Sequence, residues 1–196
     1  MTRFAKMIVS FAVLIFFLSC SPKHKEYVLA DIGLTLQIPA SFKVLTAAQS
    51  DSLNKKGLKL MEDANHVSLD ASQTKTLISA KKNESNYFTV TMTPYNVSKD
   101  GPYMESLNQA NKLLYNTFRE KIPDAKISTS TSRKTIGDRE FKEFHLEILI
   151  NGNRTMNVVL LSRYYQGFDL SISYVYMDDF TKTQMEDILQ SSKFVY

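Results

Sequence analysis

Residues Phe141–Tyr176 read FKEFHLEILINGNRTMNVVLLSRYYQGFDLSISYVY, and this stretch decides the fold. Phe144, Leu146, Ile148 and Ile150 share one parity, the period-2 signature of a strand. Asn151-Gly152 follows, a strong hairpin signal because both residues accept the positive φ of a type I′ turn. Arg154–Tyr164 answers with Met156, Val158 and Leu160 inward, and Gln166-Gly167 turns the chain again. In Phe168–Tyr176, Phe168, Leu170, Ile172, Tyr174 and Tyr176 alternate with Asp169, Ser171 and Ser173. Three strands on tight turns make an antiparallel meander. Shared parity predicts that Phe144, Ile148, Val158, Leu170 and Ile172 form one side of the core.

Outward from the meander, Lys126–Ile136 reads as a fourth strand, reaching Phe141 through a Gly137-Asp138 turn. Tyr103–Lys121 is a helix opened by Gly101-Pro102 and closed by Pro123, since proline suits a first turn. Its apolar stripe, Met104, Leu107, Leu114 and Phe118, is expected over the meander. Thr76–Ala80 and Tyr87–Thr93 form a second hairpin, with Phe88, Val90 and Met92 opposite Thr89, Thr91 and Thr93. Thr46–Ala64 reads as a helix with Thr46 as N-cap and an interruption at Gly57. Tyr27–Ala30 and Gly33–Ile38 open the globular part, and Pro39 ends the second strand because proline cannot donate to a ladder. Asp178 and Asp179 open a last helix through Gln190, where carboxylates cap the N-terminus, and Ser191–Tyr196 leaves as an extended tail. Hairpins without β-α-β alternation give an α+β class, helices flanking an antiparallel sheet.

Three features together resemble the Mog1/PsbP-like superfamily over about Tyr27–Phe194. They are Leu34-Thr-Leu-Gln-Ile-Pro39 followed by Phe42, the Phe141–Tyr176 meander, and the ending Met185-Glu-Asp-Ile-Leu-Gln-Ser-Ser-Lys-Phe194. The resemblance implies an α/β/α sandwich and a binding or assembly accessory, with no shared catalytic residue.

The N-terminus has its own pattern. A basic start with Arg3 and Lys6, a short apolar run Met7–Leu18, then Phe17-Leu18-Ser19-Cys20 resembles a bacterial lipoprotein signal peptide. The run is about a dozen residues against the roughly 20 that span a bilayer. Competing readings are an uncleaved anchor and an ordinary secretory signal. The lipoprotein reading divides the chain into a signal at 1–19, lipidated Cys20 with a tether at 20–26, and one globular domain at 27–196. It implies a palmitate-type acyl anchor and a cell-envelope location facing the periplasm. Cys20 is the only cysteine, so no disulfide and no thiolate metal cage follow. Of 24 basic residues, 22 remain after Arg3 and Lys6 leave, against 20 acidic ones. That near balance, with the charges interleaved, gives no footprint for nucleic acid.

Catalytic and metal patterns are sparse. His24, His66 and His145 are scattered, with no His-Glu-x-x-His and no Gly-x-Ser-x-Gly elbow. The adjacent carboxylates Glu62/Asp63 and Asp178/Asp179 do not converge on one point of a helix. No cofactor, metal or catalytic residue is expected. Tyr174 and Tyr176 share parity with Ile172 and read as core, whereas Tyr95 and Tyr165, at strand ends, are the candidate partner contacts. The leading reading is a membrane-anchored, non-enzymatic domain that binds a protein partner. The rival is a small-molecule carrier or weak hydrolase using a cavity between sheet and helices.

Overall fold

Strands with apolar residues on both parities must be covered on both faces, and Arg154–Tyr165 has Val158 and Leu160 on one parity, Val159 and Leu161 on the other. The computed structural model describes residues 23–195, so Met1–Ser19 and Cys20 lie outside the described residues. The elements are β1 (His24–Leu29), β2 (Leu34–Pro39), β3 (Lys43–Val44), α1 (Ala47–Asn65), β4 (Lys75–Asn83), β5 (Asn86–Pro94) and α2 (Val97–Asp100). They continue as α3 (Tyr103–Lys121), β6 (Lys126–Ile136), β7 (Arg139–Ile150), β8 (Arg154–Tyr165), β9 (Phe168–Tyr176), α4 (Asp179–Ser191) and β10 (Lys193–Phe194). A seven-stranded sheet has the order β3-β4-β5-β9-β8-β7-β6, and β1-β2-β10 form a small second sheet. Every pairing is antiparallel.

The first face of the large sheet lies under α1 and α3. Phe144, Leu146, Ile148, Val158 and Val175 are buried there against Leu114 and Phe118. The second face lies under α4 and the small sheet, where Phe88, Val90, Leu161, Leu170 and Ile172 meet Leu34, Leu36, Met185 and Ile188. The expected single face for Phe144, Ile148, Val158, Leu170 and Ile172 is therefore corrected. Val158 pairs with Val175, which puts Leu170 and Ile172 on the opposite parity, beside Leu161. Leu107 does not join the Phe144 cluster but lines a groove described below.

Local chemistry sets the turns and caps. Asn151 and Gly152 have φ of 51° and 69°, as the hairpin reading requires. Thr46 closes a capping box with Gln49, and Asp178 Oδ1 accepts from the Thr181 amide at 2.7 Å. Helix α1 runs unbroken through Gly57, contrary to the expected interruption, because a single glycine costs only about 1 kcal/mol in a helix. Only Ser50 of α1 is buried. The helix is held instead by polar contacts: Asn65 Nδ2 donates to Leu113 O at 3.1 Å and to Thr117 Oγ1 at 3.0 Å, and Asn54 Nδ2 to Thr76 Oγ1 at 2.8 Å.

Both ends of the described chain are strands. β1 begins at His24, inside the stretch read as tether, because pairing with Gln37–Pro39 satisfies its backbone despite the polar sequence. The tail after α4 is not free: Lys193 and Phe194 pair with Thr35 and Leu34.

Candidate functional site

Tyr95 follows β5 directly, and its amide donates to Gly167 O at 2.8 Å, fixing it beside the β8–β9 turn. Its hydroxyl donates to Gly101 O at 2.9 Å and lies 2.8 Å from Ser106 Oγ, so it pins the entrance to α3. The ring meets Tyr103 edge-on at 5.3 Å and Tyr164 at 6.0 Å, and the Tyr103 and Tyr164 rings are 5.9 Å apart. Edge-to-face rings of this kind add stability beyond their burial. Tyr164 remains 43% exposed. Beneath it the Tyr103 hydroxyl donates to Asp169 Oδ1 at 2.7 Å. Burial pushes the Asp169 carboxyl above the usual carboxylate range, and the Tyr103 bond opposes that shift in part. Burial and then the neighbouring Asp169 push the Tyr103 phenol up.

A groove runs from this corner between α3 and the outer strands. Arg133, Lys142, Ser162 and Ser171 are register partners across β6, β7, β8 and β9, and Thr131, Phe144 and Leu160 form the next row. Helix α3 sets Met104, Leu107, Asn108 and Asn111 above them, enclosing about 280 Å³. A second space of about 300 Å³, beside Tyr115 and Thr129, shares Asn108, Asn111, Thr131 and Phe144 with it. Asn111 is 9% exposed, and its Oδ1 is buried without a hydrogen-bond partner. A buried amide oxygen left unpaired costs about 1–3 kcal/mol. Arg133 Nη1 pairs with Glu140 at 3.1 Å, both exposed, while Lys142 makes no ion pair among the described residues.

The two tyrosines expected as contacts are not brought together. Tyr95 is half-buried in the tyrosine corner of the first face. Tyr165 belongs to the second face, with the Arg139 guanidinium 5.2 Å from its ring centre and Phe194 at 6.2 Å. Tyr174 and Tyr176 are buried and stacked at 6.2 Å, as the core reading requires. His145 Nε2 lies 2.9 Å from Asn157 Oδ1, and His66 caps α1 in the left-handed region. Among the described residues no three His, Cys, Asp or Glu side chains converge to hold a metal ion, and no helix is long and apolar enough to cross a membrane.

Sequence reasoning prefers Tyr95 and Tyr165 to the other tyrosines, Tyr103 and Tyr164 among them, and passes over Asn111 and Asp169 altogether. One signal was available: Asn111 sits four residues after Leu107 and three before Leu114, a polar residue on an apolar stripe. The others converge from β8, β9 and α3 and leave no local trace.

No protein-family model matches this chain, and no curated protein matches it. Among solved structures, the cyanobacterial PsbP (CyanoP) of Synechocystis sp. PCC 6803 superposes with a TM-score of 0.53 at 8% identity, covering 91% of this chain and 99% of that one. The Ran-binding protein Mog1p of Saccharomyces cerevisiae gives 0.45 at 9% identity, covering 88% of this chain and 95% of that one. LpqN of Mycobacterium tuberculosis, involved in cell envelope biogenesis, gives 0.39 at 15% identity, covering 87% and 89%. At these identities the likeness is one of fold alone, and the cyanobacterial PsbP carries it: an α+β arrangement of helices flanking antiparallel sheet.

Proposed function

We propose that this chain is a non-catalytic binding domain, held at an envelope membrane by a lipid on Cys20, whose contact face is the tyrosine corner and the groove under α3. One observation carries the contact face. Tyr164 is exposed yet held against Tyr95 and Tyr103, two residues along β8 from Ser162 in the lining of a groove whose Asn111 amide oxygen has no partner. A rigid aromatic already held by its neighbours loses little entropy on binding, which is the chemistry of an interface anchor. The lipid rests on the order of basic start, short apolar run and single cysteine. Tyr165, on the opposite face, would mark a second contact. A small-molecule carrier would use the same groove, but the exposed Tyr164 favours a macromolecular contact.

The test is capture from detergent-solubilised envelope with the full chain, followed by mass spectrometry. A protein retained by wild type and by Phe180→Ala, and lost with Tyr164→Ala, supports the proposal, since Phe180 is also exposed but lies far along the chain in α4. Identical captured sets for all three chains would refute it.

A further inference from the structure

Resting on that reading, we infer that the groove between α3 and β6–β8 accepts an extended acidic peptide segment of the partner, with Asn111 pairing its backbone and Lys142 its carboxylates. The groove has four properties that together select this ligand. It is elongated. The space on either side of Asn111 follows β6 from Arg133 to Thr129, four residue steps along the strand, about 13 Å at 3.3 Å per residue. That suits a chain laid lengthwise and not a compact molecule.

Its central polar group is an amide. Asn111 lines both parts of the groove, and its buried Oδ1 finds no donor. The Asn111 side chain makes no hydrogen bond to any described residue, so its NH2 is also available. A carboxamide offers one acceptor and two donors, the complement of a backbone N–H and C=O. A peptide unit therefore satisfies both ends of the Asn111 side chain at once. An inorganic anion would satisfy only the NH2 and leave the buried oxygen without a donor.

Its charge is positive. Lys142 faces the groove beside Ser162 and has no ion pair, and Lys112 lines the far end. The Glu140 carboxylate is already engaged by Arg133. Glu143 borders the groove as well, but its Oε1 accepts from Ser132 at 2.9 Å on the opposite parity of β7. Acidic side chains are therefore favoured over basic ones. Finally, the floor is apolar, since Phe144 and Leu160 lie under Leu107, which accommodates the aliphatic part of alternate residues.

The experiment uses amide nitrogen–proton NMR spectra of the full chain in detergent micelles, titrated with three acetylated, amidated hexapeptides: Glu/Ala, Lys/Ala and Ser/Ala. The Glu/Ala peptide is expected to shift the Asn111 side-chain amide pair and the Thr129, Thr131 and Lys142 amides, saturably, with the other two at least tenfold weaker. Asn111→Leu, close in size but without the amide, is expected to weaken the Glu/Ala peptide roughly tenfold, the loss of about one buried hydrogen-bonding group. Lys142→Gln, which keeps most of the aliphatic stem of this half-buried strand residue and removes its charge, is expected to erase the preference for Glu/Ala over Ser/Ala. The inference is overturned if the Glu/Ala peptide shifts none of these amides, if Lys/Ala binds equally, or if either substitution leaves binding unchanged in a chain whose remaining spectrum is native. An oligosaccharide that shifts the Asn111 amide where the peptides do not would overturn it too, assigning the groove to a glycan. Capture lost with Tyr164→Ala while the peptide fails to bind would leave the contact face standing and remove only its ligand.

Discussion

The Tyr103 hydroxyl donates to Asp169 Oδ1 at 2.7 Å, joining the first turn of α3 to the start of β9 across 66 residues of chain. This bond places a buried carboxylate under the tyrosine corner and gives it a measurable signature. Burial raises the Asp169 pKa above its unfolded value. The folded chain then holds this proton more tightly than the unfolded one, so the contribution of Asp169 to stability is greatest below the ordinary carboxylate range and is lost as pH rises through the raised value. Asp169→Asn keeps an acceptor for Tyr103 and should flatten this fall, leaving the variant at least as stable as wild type at neutral pH. Urea unfolding across pH 3–8 reads the slopes. Tyr103→Phe leaves the carboxylate without its donor and should cost about 1–3 kcal/mol at neutral pH.

Asp178 has the opposite sign. The Thr181 backbone amide holds its carboxyl below the usual range, so its contribution is present at neutral pH and lost as pH falls through the lowered value. Asp178→Ala removes the cap of α4 and should cost about 0.5–2 kcal/mol at pH 7, with the difference from wild type shrinking in acid. Thermal unfolding at pH 7 and pH 3 checks this.

The two glycines Gly33 and Gly57 should respond in opposite directions to alanine. Gly33 has φ +63°, and a Cβ there would lie 2.3 Å from Val195 O. Gly33→Ala should destabilise by more than about 1 kcal/mol and speed hydrogen exchange at Val195, whose amide donates to Gly33 O at 2.7 Å. Gly57 is exposed in the middle of α1 with nothing within 4 Å of its would-be Cβ. Gly57→Ala should stabilise by about 0.5–1 kcal/mol.

Two-sided burial gives a third contrast. Leu170→Ala and Ile172→Ala, on fully buried side chains, should each cost about 2–5 kcal/mol, as should Ile148→Ala on the other face. Ser171→Ala, between them on a half-buried position, should cost under about 1 kcal/mol.

Much of the fold is legible because alternation and turn chemistry are local. Asn151-Gly152 and Gln166-Gly167 set the β7–β8–β9 register, and Thr46 and Asp178 mark helix starts from single side chains. Parity does not say which face of a sheet is which. Leu170 and Val158 both read as inward, and only the pairing of Val158 with Val175 separates them. Lys43–Val44 and Lys193–Phe194 are too short for any period, and become strands because β4 and β2 offer free edges. The candidate site is less legible. The row Arg133, Lys142, Ser162 is written in three strand registers, and Tyr95, Tyr103 and Tyr164 meet only after the sheet has formed.

The proposed anchor is tested by Cys20→Ala. An unprocessed or soluble chain is expected, checked by detergent phase partitioning and intact mass. A processed, acylated chain lacking Cys20 would exclude it.

The contact face itself is tested most directly by a photo-crosslinking amino acid placed singly at positions 164, 108, 180 and 28 in the full chain, in intact cells. Positions 164 and 108 line the tyrosine corner and the groove, while Phe180 and Val28 are exposed elsewhere at 68% and 65%. One discrete adduct is expected from 164 and 108 and none from 180 or 28. Adducts from 180 or 28 with none from 164 would place the contact on another surface and contradict the proposed function.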